Sequence, residues 1–278
     1  MKLIRNSLRL ALGCVVLAAG PAFAWDEDTV LSLGDSVAFG YITQAGHQYV
    51  NPSNFIGYPE YVAGALHGTA VNAACPGETS GSLLSAAAPD NGCRQFRSAF
   101  PLHVSYGTTQ MAFATSYLKH HRVHLVTLGI GANDLFILQD SCATAPDPTQ
   151  CIGAGLPATL QSIATNVATI LGGLRAAGYG GQIMVVNYYS LDYSDATGTG
   201  ITALLNQALA GAAKAFGASV ADVFTAFQKA TTNPLVAGKP CNAGLLNVDP
   251  QDETACDVHP AQSGQRLMAL TVLRTQHY

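Results

Sequence analysis

The chain has 278 residues, 49% of them hydrophobic and only 11% charged, with 13 Lys and Arg against 17 Asp and Glu. A net charge of −4 leaves no basic footprint for nucleic acid, and the apolar share is ample for a well-buried core in a chain of this length.

The first segment is set apart from the fold. Lys2, Arg5 and Arg9 precede an apolar run from Leu10 to Ala19, and Ala22-Phe23-Ala24 has the small-x-small form of a cleavage site. Residues 1–24 are therefore expected to be a secretory signal peptide, cut after Ala24. Cys14 lies early in the apolar run, and Ala11 stands where a lipid-attachment signal usually carries leucine, so it reads as an ordinary signal residue. The apolar run is too short for a membrane span, and no later stretch reaches the ~20 apolar residues a span needs. Cleavage would remove three basic residues and no acidic one, leaving a net charge of −7. Residues 25–278 contain no repeat, linker or shift in composition, so one domain is expected there.

Within that domain, short apolar runs alternate with helical patterns. Strands are expected at 28–33, 69–74, 123–130, 182–189 and 218–224, and helices at about 58–67, 108–121, 158–177 and 201–216, with a last one near 263–275. In the 158–177 segment, Leu160, Ile163, Val167, Ile170, Leu171 and Leu174 fall on one face. This alternation implies a three-layer α/β/α sandwich around a central, mainly parallel, five-stranded sheet. The stretches 41–57, 75–107, 136–157, 190–200 and 231–258 read as long loops, mostly following strand ends.

Six cysteines remain after cleavage: Cys75, Cys93, Cys142, Cys151, Cys241 and Cys256. An even number in an exported chain suggests disulfides. They fall into three sequence-local pairs inside loop-like stretches, which favours 75–93, 142–151 and 241–256. No Cys-x-x-Cys is present, so a zinc site is disfavoured.

Four places could carry chemistry. Ser36, in Gly34-Asp35-Ser36, stands where the first strand gives way to a helix, and a hydroxyl there becomes a nucleophile if a base reaches it. Taken alone, such a tripeptide is usually a turn or an N-cap. Gly77, after the second strand, could let a backbone N–H approach a ligand closely, or simply be a loop glycine. Asn133, in Gly129-Ile-Gly-Ala-Asn-Asp-Leu135, could donate its amide to an oxyanion, and Asp134 could cap the following helix. His259, just before the last helix, could act as a general base. His120, His121 and His124 look like a ligand cluster, but they span a helix end, where basic residues suit the macrodipole. No Gly-x-x-x-x-Gly-Lys phosphate loop and no Gly-x-Ser-x-Gly elbow is present. Tyr188, Tyr189, Ser190 and Tyr193 end the fourth strand and could line an acyl pocket or sit in the core.

Together, Gly34-Asp35-Ser36, Gly77, Gly131-x-Asn133-Asp134 and His259-Pro260 resemble, in order, the four blocks of the SGNH or GDSL hydrolase family of esterases and lipases. The resemblance spans nearly all of the mature chain. It implies a flavodoxin-like sandwich and a serine esterase with Ser36 as nucleophile and His259 as base. It also implies an oxyanion hole made of the Ser36 and Gly77 N–H groups with the Asn133 side chain, and it requires no metal or cofactor. One position departs from the family. The acid that orients the histidine commonly lies three residues before it, where this chain has Cys256; Asp257 is the expected substitute, a nearby carbonyl the alternative. The expected substrates are lipid or short-to-medium acyl esters, taken by a secreted monomer. Acyl transfer, carbohydrate deacetylation and an inactive binding protein of the same fold are the alternatives.

Overall fold

The computed structural model describes residues 28–276; the expected signal peptide lies outside the described residues. Five parallel strands form the central sheet: β1 (Val30–Gly34), β2 (Ala70–Asn72), β3 (Leu125–Gly129), β4 (Gln182–Val186) and β5 (Ser219–Ala221). Their order is β2-β1-β3-β4-β5. After β1 the chain builds outward to β2, then returns to the other side of β1 to lay down β3. The sheet thus reverses its winding between β1 and β3, the place where ligands gather in open α/β sheets, outside the carboxyl ends of the strands.

Strand periodicity divides the core in two. Alternate residues of a strand point to opposite faces, so Val30, Leu125, Met184 and Val186 join one apolar cluster, while Leu31, Leu33, Val126, Leu128, Ile183 and Val185 join the other. The first face is covered by α2 (Tyr58–Ala65), α9 (Val223–Ala230) and α10 (Gln262–Thr275), through Tyr58, Val62, Phe227, Met268 and Val272. The second is covered by α5 (Gln110–His120), α7 (Pro148–Ala176) and α8 (Ala196–Ala215), through Ala114, Ile163, Ile170, Leu205 and Leu209. Burial on both faces is why these strands read as continuous apolar runs. Ser32 and Thr127 interrupt the runs at buried positions of neighbouring strands, and they satisfy each other by a 2.9 Å hydroxyl–hydroxyl hydrogen bond.

The remaining helices are short. α1 (Ser36–Phe39) follows β1, α3 (Ser80–Leu84) and α4 (Cys93–Ala99) lie between β2 and α5, and α6 (Ala132–Cys142) follows β3. All five expected loops are partly ordered: 41–57 holds two short 3-10 helices, Gly46–Val50 and Pro52–Asn54, and 190–200 the start of α8 at Ala196. The 75–107 stretch holds α3 and α4. The 136–157 stretch is almost entirely helical, because α6 runs to Cys142 and α7 begins at Pro148 rather than 158. The Asp147 carboxylate accepts from the Gln150 N–H at 2.9 Å, and Pro148 sits at the first helical position, where a missing N–H costs nothing. Gly155 is not a breaker here: a Cβ on it would come within 2.5 Å of Leu138 Cδ1, so its bareness lets α6 and α7 approach closely. The 231–258 stretch contains much of an antiparallel hairpin, β6 (Leu246–Asp249) and β7 (Asp252–Pro260). The apolar run 218–224 is strand only to Ala221, since the Asp222 side chain caps the Thr225 N–H and starts α9.

The three sequence-local disulfides are all present, Cys75–Cys93, Cys142–Cys151 and Cys241–Cys256, each with Cα atoms 5.6 Å apart. Among the described residues no helix is long and apolar enough to cross a membrane.

Leu128, fully buried on β3, measures the core directly. Leu128→Ala should cost about 2–5 kcal/mol, read as a lowered midpoint of denaturant unfolding at unchanged slope.

Candidate active site

The turn after β1 is held from several sides. Gly34 has φ 154°, and a Cβ there would stand 2.4 Å from the Gly129 carbonyl oxygen, so only glycine lets β1 and β3 close up at this point. The buried Gln110 side chain grips the same residue twice: its Oε1 accepts from the Gly34 N–H at 2.9 Å, and its Nε2 donates to the Gly34 carbonyl at 2.7 Å. Asp35 is the N-cap of α1. Its Oδ1 accepts from the Val37 N–H at 2.9 Å and its Oδ2 from the Tyr188 hydroxyl at 2.5 Å. Burial pushes the Asp35 carboxyl up to about 6, against the opposing pull of those hydrogen bonds. Ser36 follows at the first helical position, where no intrahelical partner exists for its N–H.

The far end of the chain supplies the base. His259 lies on β7, and its Nε2 is 2.9 Å from Ser36 Oγ. Its Nδ1 is 2.7 Å from Asp257 Oδ2. The departure in spacing has a geometric reason. Residues two apart on a strand share a face, so Asp-x-His on β7 presents both side chains to the same side. Cys256, at the position where the family commonly has its acid, is bonded to Cys241 and helps fix the strand. Tyr189 adds a second anchor by donating to the Val258 carbonyl at 2.6 Å, and the Tyr41 ring meets the imidazole edge-on at 4.9 Å.

Thr43 completes this end of the site, and nothing in the sequence singled it out. Its hydroxyl donates to Asp257 Oδ2 at 2.5 Å and lies 3.4 Å from His259 Nδ1. Burial raises the Asp257 carboxyl, but hydrogen bonds from His259, Thr43 and the Val258 N–H outweigh it and hold the group below the usual carboxylate range. The carboxylate is thus kept charged and facing the imidazole.

On the other side of Ser36 stand Gly77 and Asn133. Gly77 has φ 83°, in the left-handed region, and a Cβ there would stand 2.2 Å from the Asn91 carbonyl oxygen. Among the described residues the Ser36 and Gly77 N–H groups have no hydrogen-bond partner. Asn133, near the start of α6, donates one amide hydrogen to the Glu78 carbonyl at 2.9 Å and accepts at Oδ1 from Asn91 Nδ2 at 2.9 Å. Its second amide hydrogen stays uncommitted. Asp134 is not the N-cap of α6, a position held by Gly131. Its carboxylate accepts from the Ser80 N–H at 2.9 Å and the Ser80 hydroxyl at 2.6 Å, so it fixes the start of α3 instead. Glu78 is buried beneath this loop, receiving hydrogen bonds from Ser82 and from Gln110 Nε2, and burial raises its carboxyl.

Ser36, Gly77, Asn133 and His259 open on one cleft of about 800 Å³. Its walls are mostly apolar: Val37, Phe96 and Phe100 on one side, with Leu135, Phe136, Ile201 and Leu205 contributed by α6 and α8. Tyr188, Tyr189 and Ser190 line it too, whereas the Tyr193 hydroxyl donates to the Phe224 carbonyl. The three histidines of 120–124 go separate ways. His120 Nδ1 is 2.8 Å from the Ser116 carbonyl oxygen, His121 stacks on Tyr117, and His124 faces Asp28. Among the described residues, one group brings three potential metal-binding atoms together, Cys75, Glu78 and Cys93, and its two sulfurs are bonded to each other.

The sequence and the fold have counterparts. The sequence profile of the GDSL-like lipase/acylhydrolase family matches residues 32–267. The fold is similar to that of phospholipase A1 from Streptomyces albidoflavus, with a TM-score of 0.59 and 17% identity over 90% of this chain and 100% of the other. A lipase from a goat rumen metagenome gives 0.58 and 15%, over 89% of this chain and 97% of the other. A mutant acetyl-xylooligosaccharide esterase from Geobacillus gives 0.55 and 15%, over 89% and 93%. No curated protein matches the sequence.

The buried Asp35 carboxyl has a consequence for stability. It ionises near pH 4 in the unfolded chain but holds its proton to about 6 when folded. Its contribution to stability is full below about pH 4 and is lost as the pH rises through about 6. Asp35→Asn keeps the cap and removes that loss. The difference in unfolding free energy between variant and wild type should grow in the variant's favour over this window and then level off.

Proposed function

The chain belongs to the GDSL-like lipase/acylhydrolase family, and on that premise we propose that it is a serine hydrolase of carboxylic esters working through an acyl-serine intermediate. The observation that carries this reading is the relay Ser36 Oγ–His259 Nε2–Asp257, at 2.9 Å and 2.7 Å, beside three unpaired donors in an apolar cleft. Ser36 Oγ attacks the ester carbonyl while His259 Nε2 accepts its proton. Asp257, oriented by Thr43, keeps the remaining imidazole proton on Nδ1 and stabilises the imidazolium. The tetrahedral oxyanion is met by the Ser36 and Gly77 N–H groups and the free Asn133 amide hydrogen. His259 then returns the proton to the departing alcohol. A water, deprotonated by the same ring, attacks the acyl-serine, releases the acid and restores Ser36.

The walls of the cleft bear on the substrate. Phe96, Phe100, Leu135, Phe136, Ile201 and Leu205 offer dispersion and hydrophobic burial to a hydrocarbon chain. We assign lipid or short-to-medium acyl esters as the substrate class. The fold neighbours include a phospholipase, a lipase and a carbohydrate esterase, so the fold alone does not choose among them. Export follows from the basic, apolar and small-residue pattern of residues 1–24, supported by three disulfides that suit an oxidising compartment.

Two measurements test this reading. On p-nitrophenyl esters from acetate to palmitate, turnover should improve beyond acetate and vanish in Ser36→Ala; an optimum at acetate would favour carbohydrate deacetylation. Asp257→Asn should lower kcat by about 10⁴-fold, as loss of the orienting carboxylate does in a triad. A near-wild-type rate would instead mean a Ser36–His259 dyad.

A further inference from the structure

Asn133 poses a problem of orientation. A carboxamide has nearly the same shape with its oxygen and nitrogen exchanged, and only its partners decide which way it points. For the amide to offer a hydrogen to an oxyanion, the nitrogen must be held on the correct side. Two partners do this. The Glu78 carbonyl accepts from Nδ2, and Asn91 Nδ2 donates to Oδ1. An exchanged amide would set carbonyl against carbonyl at Glu78, so that backbone contact picks the state, and the Asn91 amide, turned to donate to Oδ1, holds it there.

Asn91 also holds the other loop donor. Its backbone N–H donates to the Gly77 carbonyl at 2.8 Å, and its carbonyl lies where a Gly77 side chain would have to go. Gly77 follows β2, and Asn133 opens α6 after β3, so the two reach Ser36 from different elements. Asn91 contacts both. It sits two residues before Cys93, inside the loop closed by Cys75–Cys93, which gives this otherwise short, irregular segment a fixed base.

We propose that Asn91 is a positioning residue for ester hydrolysis, holding the Asn133 amide in the orientation that the Glu78 carbonyl selects and tying it to the Gly77 loop. The proposal rests on the reading of Asn133 as an oxyanion donor. Asn91 also lines the cleft; because it acts on the oxyanion through Asn133, its loss slows the step in which the oxyanion forms more than it changes ground-state binding.

The test is a double-mutant cycle on p-nitrophenyl butyrate with Asn91→Asp, Asn133→Ala and the pair. Aspartate keeps the shape but sets an acceptor against Asn133 Oδ1. Asn91→Asp should lower kcat by about 10–100-fold with KM within about twofold, whereas in the Asn133→Ala background it should change kcat less than about twofold. A wild-type kcat for Asn91→Asp, or an equal loss in both backgrounds, would overturn the proposal while leaving Asn133 in its role. A wild-type kcat for Asn133→Ala would overturn both. Should Asn91→Asp fail to fold, as read by circular dichroism, Asn91→Ser enters the same cycle with the same expected non-additivity.

Discussion

A single hydrogen bond organises the molecule: His259 Nε2 to Ser36 Oγ, across 223 positions of sequence. One partner sits at the carboxyl end of the first strand, the other on the last. Each needs a rigid mount, because a base displaced by an ångström loses much of its effect. The Ser36 mount is the sheet itself, pinned at Gly34 by Gln110 and at Asp35 by Tyr188. The His259 mount is the β6–β7 hairpin, too small to be stable on its own. It is secured by the Cys241–Cys256 disulfide, by Tyr189 at the Val258 carbonyl, and by α10 beyond Pro260. The disulfide that replaces the family's usual acid position thus stiffens the strand that presents Asp257 and His259 together.

Around this contact lie carboxyl groups that an apolar core should exclude. Asp35 and Glu78 are buried and Glu60 half-buried, and loss of solvent raises all three, Asp35 to about 6 and Glu60 to about 7. Each is fully engaged. Asp35 caps α1, Glu60 receives the Gly57 N–H and the Asn72 amide, and Glu78 receives Ser82 and Gln110. A buried, hydrogen-bonded carboxyl costs stability but gives directional contacts that hydrocarbon cannot. Here those contacts fix the turns after β1 and β2, which carry Ser36 and Gly77.

The sheet was legible because its central strands are short, mostly apolar runs bounded by turn residues. The three disulfides followed from sequence-local spacing, and the four blocks stand out because each is a short run at a strand end or beside the last helix. What escaped the sequence is instructive. The α6–α7 stretch was hidden by Gly153, Gly155 and Pro157, of which Gly155 proves to be a packing glycine against Leu138. The hairpin was hidden because β6 and β7 carry polar residues and a register shift. Thr43, Asn91, Glu78 and Gln110 have no motif at all; they matter only through residues that folding brings to them, 214 positions away in the case of Thr43 and Asp257. Asp134 misled because a carboxylate early in a helix usually serves that helix, whereas this one reaches across to α3.

The most direct test of a Ser36 activated by His259 is covalent capture. The chain would be treated with a fluorophosphonate and its intact mass and peptide map followed over time. The account predicts one adduct per chain, on Ser36, at a rate that collapses in His259→Ala. Ester hydrolysis that persists without an adduct on Ser36, or with an adduct on another residue, would contradict it.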